Sequence, residues 1–242
     1  MRPESFSNHN RLKNAVFRIK YYNSIVETTL SGRVALLFLS KNMYFEPDEF
    51  YHVYNRGNNK QIIFFDERNY LYFLKKARDQ LLPFSDIIAY CLMPNHFHFI
   101  LRANDNGLKE RNTFGAKPMQ ELAYRIGILL SSYSQAINKQ NKTTGSLFQQ
   151  KTKAKVLSET DNGARIGYFE QCFHYIHQNP SVARIVKNVA CWPYSSYFDY
   201  IGSREGTLCT QKIFYTLTGL SAEDIVAKTI EKIDEKILDK LF

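Results

Sequence analysis

Apolar and polar positions change their period several times along the chain, and each change predicts a new element. Residues 50–56 (FYHVYNR) are aromatic and β-branched and run into Gly-Asn-Asn at 57–59, a pattern typical of a strand followed by a loop. Asp66 could then cap a helix whose apolar residues recur at helical spacing until Pro83 ends it. The patterned region therefore begins with a strand and a helix.

A hairpin and a second helix are predicted next. Residues 86–93 (DIIAYCLM) form an apolar run that predicts a buried strand, and residues 96–102 (HFHFILR) predict the following strand. Because Pro94 is a turn signal between them, the two strands should pair as a hairpin. We interpret residues 104–114 as a polar loop and residues 119–140 as the second helix.

The second half of the chain predicts one more strand and further helices. Residues 146–157 carry basic side chains at a period of two, which indicates a strand. A third helix should begin after Asn162-Gly163 and stop at Pro180, because proline cannot continue a helix and the residue before it avoids helical geometry. Residues 191–197 (CWPYSSY) indicate a rigid aromatic turn, and a mostly helical tail follows.

The order of these elements predicts the fold class and the domain boundaries. A β-α-β-β-α-β order followed by a helix predicts an α+β fold, with a ferredoxin-like antiparallel sheet, helices on one face and a helical C-terminal extension. Residues 1–42 lack clear periodicity and are interpreted as an arm or a non-native leader, with Met43 as a possible true start. The main domain is expected at 43–200 and the helical tail at 201–242.

The charge distribution indicates a polyanionic partner. The formal net charge is +9, and residues 117–157 contain seven basic residues against the single acid Glu121. Such a local excess favours phosphate contacts, although charge alone would also fit a solvated basic face.

The chain contains no apolar stretch that approaches the roughly 20 residues of a membrane span, so no membrane association is expected. Its four cysteines lie far apart without a CxxC pair, which argues against a zinc ribbon and favours a reducing, cytoplasmic location.

Two histidines and one helix carry the candidate chemistry. His96 and His98 alternate on a predicted strand, so both imidazoles point to one face and could chelate a cation, although an HxH triplet alone is weak evidence. On the helix predicted to stop at Pro180, Tyr175 and Asn179 lie one turn apart and project away from the core stripe. This stripe is the apolar set at spacings of three and four, Ile166, Phe169, Phe173 and Ile176. A phenol and an amide oxygen so placed could act as a nucleophile and a neighbouring metal ligand. In the structural alternative, Tyr175 lies at the boundary of an amphipathic helix and Asn179 caps its C-terminus.

Four sequence blocks resemble, in order, the single-tyrosine HUH transposases, and among them the REP-associated tyrosine transposase branch. The blocks are YHVYNRG at 51–57, AYCLMPNHFHF at 89–99, YIHQNP at 175–180 and WPYSSY at 192–197. The resemblance covers roughly residues 50–200. It implies a DNA transposase that nicks and joins single-stranded or hairpin DNA as a monomer or a homodimer.

Carried over by motif, the resemblance implies a role for each site residue. His96, His98 and Asn179 would bind Mg²⁺ or Mn²⁺, and Tyr175 would be the nucleophile that forms a 5′-phosphotyrosine bond. Tyr133, in the second predicted helix, is the alternative nucleophile.

His177 could shuttle protons but is expected to be structural, because it falls beside the core stripe.

DNA contacts are expected from basic residues, with Tyr54 and Phe148 close enough to stack on unpaired bases. The predicted DNA-binding residues are Arg56, Lys60, Lys151, Lys153 and Lys155.

Three other functions compete with this one. A non-cleaving DNA-binding regulator on the same fold is the main alternative. An RNA-binding ferredoxin-like module would present stacking rings where the third strand presents His96 and His98. A replication initiator or a relaxase would share the chemistry, but the chain is short and has no helicase segment.

Overall fold

A computed structural model of the chain describes residues 43–112, 118–157 and 165–231. In the third stretch, side chains are described from Gly167 onward. The predictions for residues 1–42, for the helix start at Asn162-Gly163 and for the tail beyond residue 231 lie outside the described residues. The elements in chain order are β1 (Phe50–Arg56), α1 (Glu67–Leu81), β2 (Ser85–Met93), β3 (His96–Ala103), α2 (Asp105–Leu108), β4 (Glu110–Arg111), β5 (Met119–Gln120), α3 (Glu121–Asn141), β6 (Lys153–Val156), α4 (Arg165–Val182), α5 (Tyr197–Tyr200), α6 (Gln211–Thr218) and α7 (Ala222–Thr229).

The central sheet has four antiparallel strands in the order β2-β3-β1-β6. β1 and β2 are linked through α1, and β3 inserts between them, which is the split βαβ arrangement of ferredoxin-like folds. The predicted α+β class, the antiparallel sheet and the helical C-terminal part are therefore confirmed.

The register of the sheet places the predicted histidines beside residues of β1. Tyr54 lies opposite His98 and Arg56 lies opposite His96 across the β1–β3 pairing. Since directly opposite residues share a face, these side chains project on one side of the sheet, which we call the histidine face. On β3, the intervening Phe97 points to the other side.

Helices α1 and α3 cover the side opposite the histidine face. Asp66 caps α1, as predicted, because its side chain accepts a hydrogen bond from the backbone N–H of Asn69. The ring of Phe73 on α1 lies 5.2 Å from Phe97 on β3 and 4.9 Å from Tyr133 on α3. These aromatic contacts form the centre of the apolar core and hold both helices on one face.

Helix α4 covers part of the histidine face. The ring of Phe169 lies 4.6 Å from Phe50 on β1, and the ring of Tyr175 lies 6.0 Å from His98 on β3. The sheet is thus a middle layer, with α1 and α3 on one side and α4 on the other. This placement brings the side of α4 that carries Tyr175 and Asn179 over the two histidines.

The prediction that the third helix stops at Pro180 is wrong, because α4 continues through Pro180 to Val182. The proline lacks an N–H and cannot bond to the carbonyl of Ile176, but only two helical residues follow it. Both Asn179 and Pro180 are buried, and the Asn179 carbonyl still accepts a hydrogen bond from the N–H of Ala183 at 2.9 Å. Packing and the remaining hydrogen bonds therefore offset the lost bond.

Two connecting segments also differ from their predictions. The predicted loop at 104–114 contains α2 and β4, because the Asn104 side chain accepts hydrogen bonds from the N–H groups of Asn106 and Gly107 and so caps a short helix. The predicted strand at 146–157 is regular only at β6, since the residues before it bond irregularly to the end of β1. Residues 113–117 are not described, and Pro118 precedes β5.

The aromatic segment at 191–197 lies along the outer edge of β2. The Trp192 indole N–H donates to the carbonyl of Leu92 at 2.9 Å, and the N–H of Leu92 donates to the carbonyl of Tyr194 at 2.9 Å. In the tail, Phe214 on α6 stacks on Phe173 of α4 at 3.9 Å. Among the described helices, none is both long and apolar enough to cross a bilayer.

Candidate metal and nucleotidyl-transfer site

A cleft of about 360 Å³ opens on the histidine face, between the sheet and α4. Both predicted histidines, the predicted nucleophile and the predicted third ligand line it, together with residues of β1 and of the segment before β6. We call this space the basic cleft. Its lining residues are Tyr54, Asn55, Arg56, His96, His98, Gln149, Lys151, Lys153, Tyr175 and Asn179.

His96 is held by its neighbour in the β2–β3 turn. Nδ1 of His96 lies 2.6 Å from Oδ1 of Asn95, and the Asn95 amide nitrogen donates to the carbonyl of Lys60 at 3.2 Å. Because the amide nitrogen is used by Lys60, Oδ1 faces His96, and Nδ1 must carry the proton. Nε2 is then the ring nitrogen that can coordinate a metal.

Burial and the charge of Arg56 lower the pKa of His96 to about 4, while a hydrogen bond to the Asn179 side chain opposes the shift. Burial, followed by His52 and His96, lowers the pKa of His98 well below its ordinary value. Both imidazoles are therefore neutral near pH 7, which is the form that binds metals.

Tyr175 and Asn179 contact each other across one turn of α4. The Tyr175 hydroxyl donates to Oδ1 of Asn179 at 3.2 Å, and Nδ2 of Asn179 donates to the Tyr175 carbonyl at 3.1 Å. Their side chains are 7% and 9% exposed, at the floor of the basic cleft. Burial raises the pKa of Tyr175 well above its ordinary value of 10, and the hydrogen bond to Asn179 opposes this only in part.

The donor set of the cleft fits a divalent cation of intermediate softness. Two neutral imidazoles and one amide oxygen converge there, which suits Mn²⁺ better than Mg²⁺, because Mg²⁺ prefers oxygen ligands. Among the described residues, no group of three or more His, Cys, Asp or Glu side chains could hold a metal, so a metal in this cleft would need the amide of Asn179 as its third ligand.

The predicted DNA-binding residues divide into two groups. Arg56, Lys151 and Lys153 line the basic cleft, and no acidic residue is among its lining residues in the described part of the chain. Lys155 lies half-buried opposite His52 on the β1–β6 pairing, and Lys60 is exposed in the loop after β1. Nε of Arg56 is buried and has no hydrogen-bond partner within the described ranges. Three cations without a carboxylate favour an anionic ligand.

The alternative nucleophile lies elsewhere. Tyr133 is fully buried between α1 and the sheet, on the side opposite the histidine face, and its hydroxyl donates to the carbonyl of Ile63 at 2.7 Å. The structure therefore does not bring Tyr133 to His96 and His98.

The ring of His177 is buried 2.8 Å from the hydroxyl of Ser196, outside the basic cleft, where it links α4 to the aromatic segment.

The sequence pattern indicates no role for three residues of the site, His52, Asn95 and Gln149. His52 contacts His98, Asn95 contacts His96, and Gln149 lines the basic cleft. Asn95 could have been identified from the sequence, because it directly precedes the first histidine. His52 and Gln149 become site residues only through pairing between segments far apart in the chain.

The helix that carries Tyr175 is anchored by the C-terminal tail. Nδ1 of His174 lies 2.7 Å from the hydroxyl of Thr229, and the Gln178 amide donates to the carbonyls of Thr229 and Glu231 at 2.8 and 2.7 Å. Lys228 and Glu170 form an ion pair beside these contacts. The tail therefore holds α4 through side chains that flank those facing the cleft.

We expect acid to loosen this anchor. Burial and then the charge of Lys228 lower the pKa of His174 to about 4, so the unfolded state takes up the proton first as the pH falls below 6.5. The stabilisation is complete above about pH 6.5 and is lost as the pH falls toward 4. His174→Gln should reduce the fall in the free energy of unfolding between pH 7 and pH 4 by about 1–3 kcal/mol in denaturant titrations. Identical pH profiles for the variant and the unmodified protein would refute this assignment.

Comparison with known proteins gives a distant structural likeness. No protein-family model matches the chain, and no curated protein matches it. Among solved structures, the chain is similar to a REP-associated tyrosine transposase bound to a REP hairpin, with 14% identity and a TM-score of 0.48. The match covers 67% of this chain and 85% of that one. The relation is a structural one only, and family membership stays a prediction.

Proposed function

We propose that this protein is a metal-dependent endonuclease and strand-transfer enzyme for single-stranded or hairpin DNA, acting through a 5′-phosphotyrosine intermediate at Tyr175. The observation that carries the proposal is the convergence of four groups in one cationic cleft. Two neutral imidazoles, one amide oxygen and one phenol lie together there, beside Arg56, Lys151 and Lys153. This combination matches what phosphoryl transfer to a tyrosine requires.

The substrate class follows from the charge of the cleft. Its lysines and Arg56 suit a phosphate backbone, and Tyr54 offers a ring at the same wall on which an unpaired base could stack. The resemblance of the four sequence blocks to REP-associated tyrosine transposases supports a hairpin.

Each group of cleft residues has its own role in the reaction. His96, His98 and Asn179 would hold the Mg²⁺ or Mn²⁺ ion, which supplies polarisation and orientation of the scissile phosphate. Arg56 neutralises charge on the same phosphate. The Tyr175 oxygen forms a bond to phosphorus as the bond from phosphorus to the 3′ oxygen breaks. The phenol proton leaves to solvent, and the 3′ oxygen leaves as a hydroxyl after taking up a proton from water.

The covalent intermediate makes strand transfer possible without a nucleotide cofactor. A 3′ hydroxyl, either the original one or one from another strand, attacks the phosphotyrosine and releases Tyr175 with its proton restored. One phosphodiester forms as the tyrosyl ester breaks, so bond energy is conserved.

The proposal is tested with a labelled hairpin oligonucleotide that carries single-stranded flanks. Full-length protein is incubated with the DNA and Mn²⁺ and then resolved on a denaturing gel. We expect a labelled band at the mass of protein plus DNA, which does not form when EDTA replaces Mn²⁺ from the start of the incubation. Binding without such a band under Mn²⁺ would contradict the proposal.

One observation favours a second candidate, the non-cleaving DNA-binding regulator. The phenol of Tyr175 is buried, and its raised pKa keeps it protonated in the free protein. A regulator would need the basic cleft but not an ionised tyrosine. It would bind the hairpin with the same affinity in Mn²⁺ and in EDTA and would form no covalent band.

The lysines of the cleft should control the salt dependence of binding. Removal of one phosphate contact by Lys151→Ala or Lys153→Ala should weaken hairpin binding and lower the slope of log affinity against log salt by about 0.7–0.9. Lys75→Ala, on the exposed surface of α1 away from the cleft, is the matched control and should leave the slope unchanged. Equal slopes for all three variants would place the DNA elsewhere. Fluorescence anisotropy between 50 mM and 200 mM salt measures the slopes.

A further inference from the structure

A buried pair of histidines links β1 to β3 beneath the basic cleft. Nε2 of His52 lies 2.8 Å from Nδ1 of His98, and the two ring planes are inclined by only 21°. His52 is fully buried, and its ring stacks on Tyr54 with centroids 4.6 Å apart. The geometry therefore fixes both the distance and the orientation of the pair.

A hydrogen bond between two imidazole nitrogens requires one proton between them. Two neutral arrangements satisfy it. In the first, His98 carries its proton on Nδ1 and donates to His52, so Nε2 of His98 has its lone pair. In the second, His52 donates from Nε2, and the proton of His98 moves to its own Nε2. Only the first arrangement leaves His98 able to ligate a cation through Nε2.

We propose that His52 is a positioning residue, which accepts the Nδ1 proton of His98 and thereby holds His98 in the tautomer that directs its Nε2 lone pair to the cleft. The inference rests on the proposed function for the identity of the bound group, but the tautomer itself does not depend on it. A metal-binding histidine commonly donates its second ring N–H to an acceptor that fixes its orientation.

The neighbouring histidine supports the choice between the two tautomers. Nδ1 of His96 donates to Oδ1 of Asn95, so both ring N–H groups of the predicted metal pair would point away from the cleft and into fixed acceptors. His96 uses a residue of its own turn as acceptor, whereas His98 uses a residue from the adjacent strand. The β1–β3 register, with His52 opposite Ile100, places that acceptor two residue pairs from His98, which is the next pair on the same face.

The tautomer can be measured directly in the metal-free protein. Long-range proton–nitrogen correlation spectra of full-length protein with ¹⁵N-labelled histidine distinguish protonated from unprotonated ring nitrogens. We expect His98 to be protonated at Nδ1 and unprotonated at Nε2. A His98 ring protonated at Nε2 would overturn the proposal, whatever the protein does with DNA or metal.

Two variants test the role of His52 in positioning. His52→Gln keeps an acceptor in place of Nε2, and His52→Leu removes it while filling the buried space. His52→Leu should shift the His98 tautomer and weaken Mn²⁺ binding by about 10–100-fold in an electron paramagnetic resonance titration, and His52→Gln should restore most of that loss. Equal tautomers and equal Mn²⁺ affinities in all three proteins would refute the role.

The outcomes separate this inference from the proposed function. If the unmodified protein shows the Nδ1–H tautomer but binds no Mn²⁺, the proposed function fails and the positioning of His98 stands. If the unmodified protein binds Mn²⁺ and forms the DNA adduct while His52→Leu matches it in tautomer and affinity, the proposed function stands and the inference fails. Should His52→Leu not fold, the tautomer of the unmodified protein still decides.

Discussion

Replacement of Tyr175 by phenylalanine is expected to abolish the covalent protein–DNA adduct, with a loss of more than about 1,000-fold in strand cleavage. The hydroxyl is the only atom removed, and its hydrogen bond to Asn179 lies within one turn of α4. Folding and hairpin binding should therefore change little. Quantitative denaturing gels measure the adduct, and anisotropy measures the binding.

Two matched phenylalanine variants show whether the loss is specific to Tyr175. Tyr54→Phe removes another hydroxyl from the basic cleft and should keep the adduct. Tyr133→Phe removes the hydrogen bond to Ile63 on the far side of the sheet and should cost about 1 kcal/mol of stability while keeping the adduct. Retention of the adduct in Tyr175→Phe, or its loss in Tyr54→Phe, would move the nucleophile to another residue.

Replacement of His96 by alanine is expected to remove the metal dependence of the reaction together with most of the activity. Loss of even an outer partner of a metal ligand costs about 10–100-fold in affinity, so loss of a ligand should cost more than about 100-fold in Mn²⁺ affinity. His96 is only partly buried, so the variant should fold, which circular dichroism can verify. Calorimetry with Mn²⁺ and gel assays across Mn²⁺ concentrations measure the two losses.

The matched variant for His96 is Asn95→Ala, which removes the acceptor of its Nδ1 proton but leaves the ring. It should show an intermediate loss of about 10–100-fold in Mn²⁺ affinity. Hairpin binding in EDTA should be similar in both variants, because the cations of the cleft remain. Unchanged Mn²⁺ affinity in His96→Ala would remove the metal from this position.

Local sequence pattern was sufficient to predict the elements that carry the candidate site. Alternation along β3 put His96 and His98 on one face, and helical spacing put Tyr175 and Asn179 on one stripe of α4. These are short-range properties, because each pair lies within four residues. The antiparallel order of the sheet followed from the sequence of elements and the hairpin around Pro94.

Properties that depend on long-range pairing could not be predicted from local pattern. His52 occupies an ordinary alternating position in the sequence of β1, and only the β1–β3 register brings it to His98. The predicted end of α4 was wrong for a related reason. Pro180 is locally unfavourable in a helix, but burial of α4 against the sheet and its anchoring by the tail outweigh one lost hydrogen bond.

The regular part of β6 was overestimated because basic alternation continues beyond the residues that pair. Lys151 belongs to the same alternating set as Lys153, yet it precedes the strand and lies in an irregular segment beside the end of β1. Both still line the basic cleft. The two lysines therefore lie in one cleft although the predicted strand is too long.

The most direct test of the account is to locate the DNA on the protein. Full-length protein is incubated with a hairpin oligonucleotide and Mn²⁺, digested with protease and nuclease, and sequenced by tandem mass spectrometry. We expect a nucleotide attached through a 5′ phosphate to Tyr175, and none when EDTA replaces Mn²⁺. Attachment at Tyr133 or Tyr54, or DNA bound with no modified tyrosine, would contradict it.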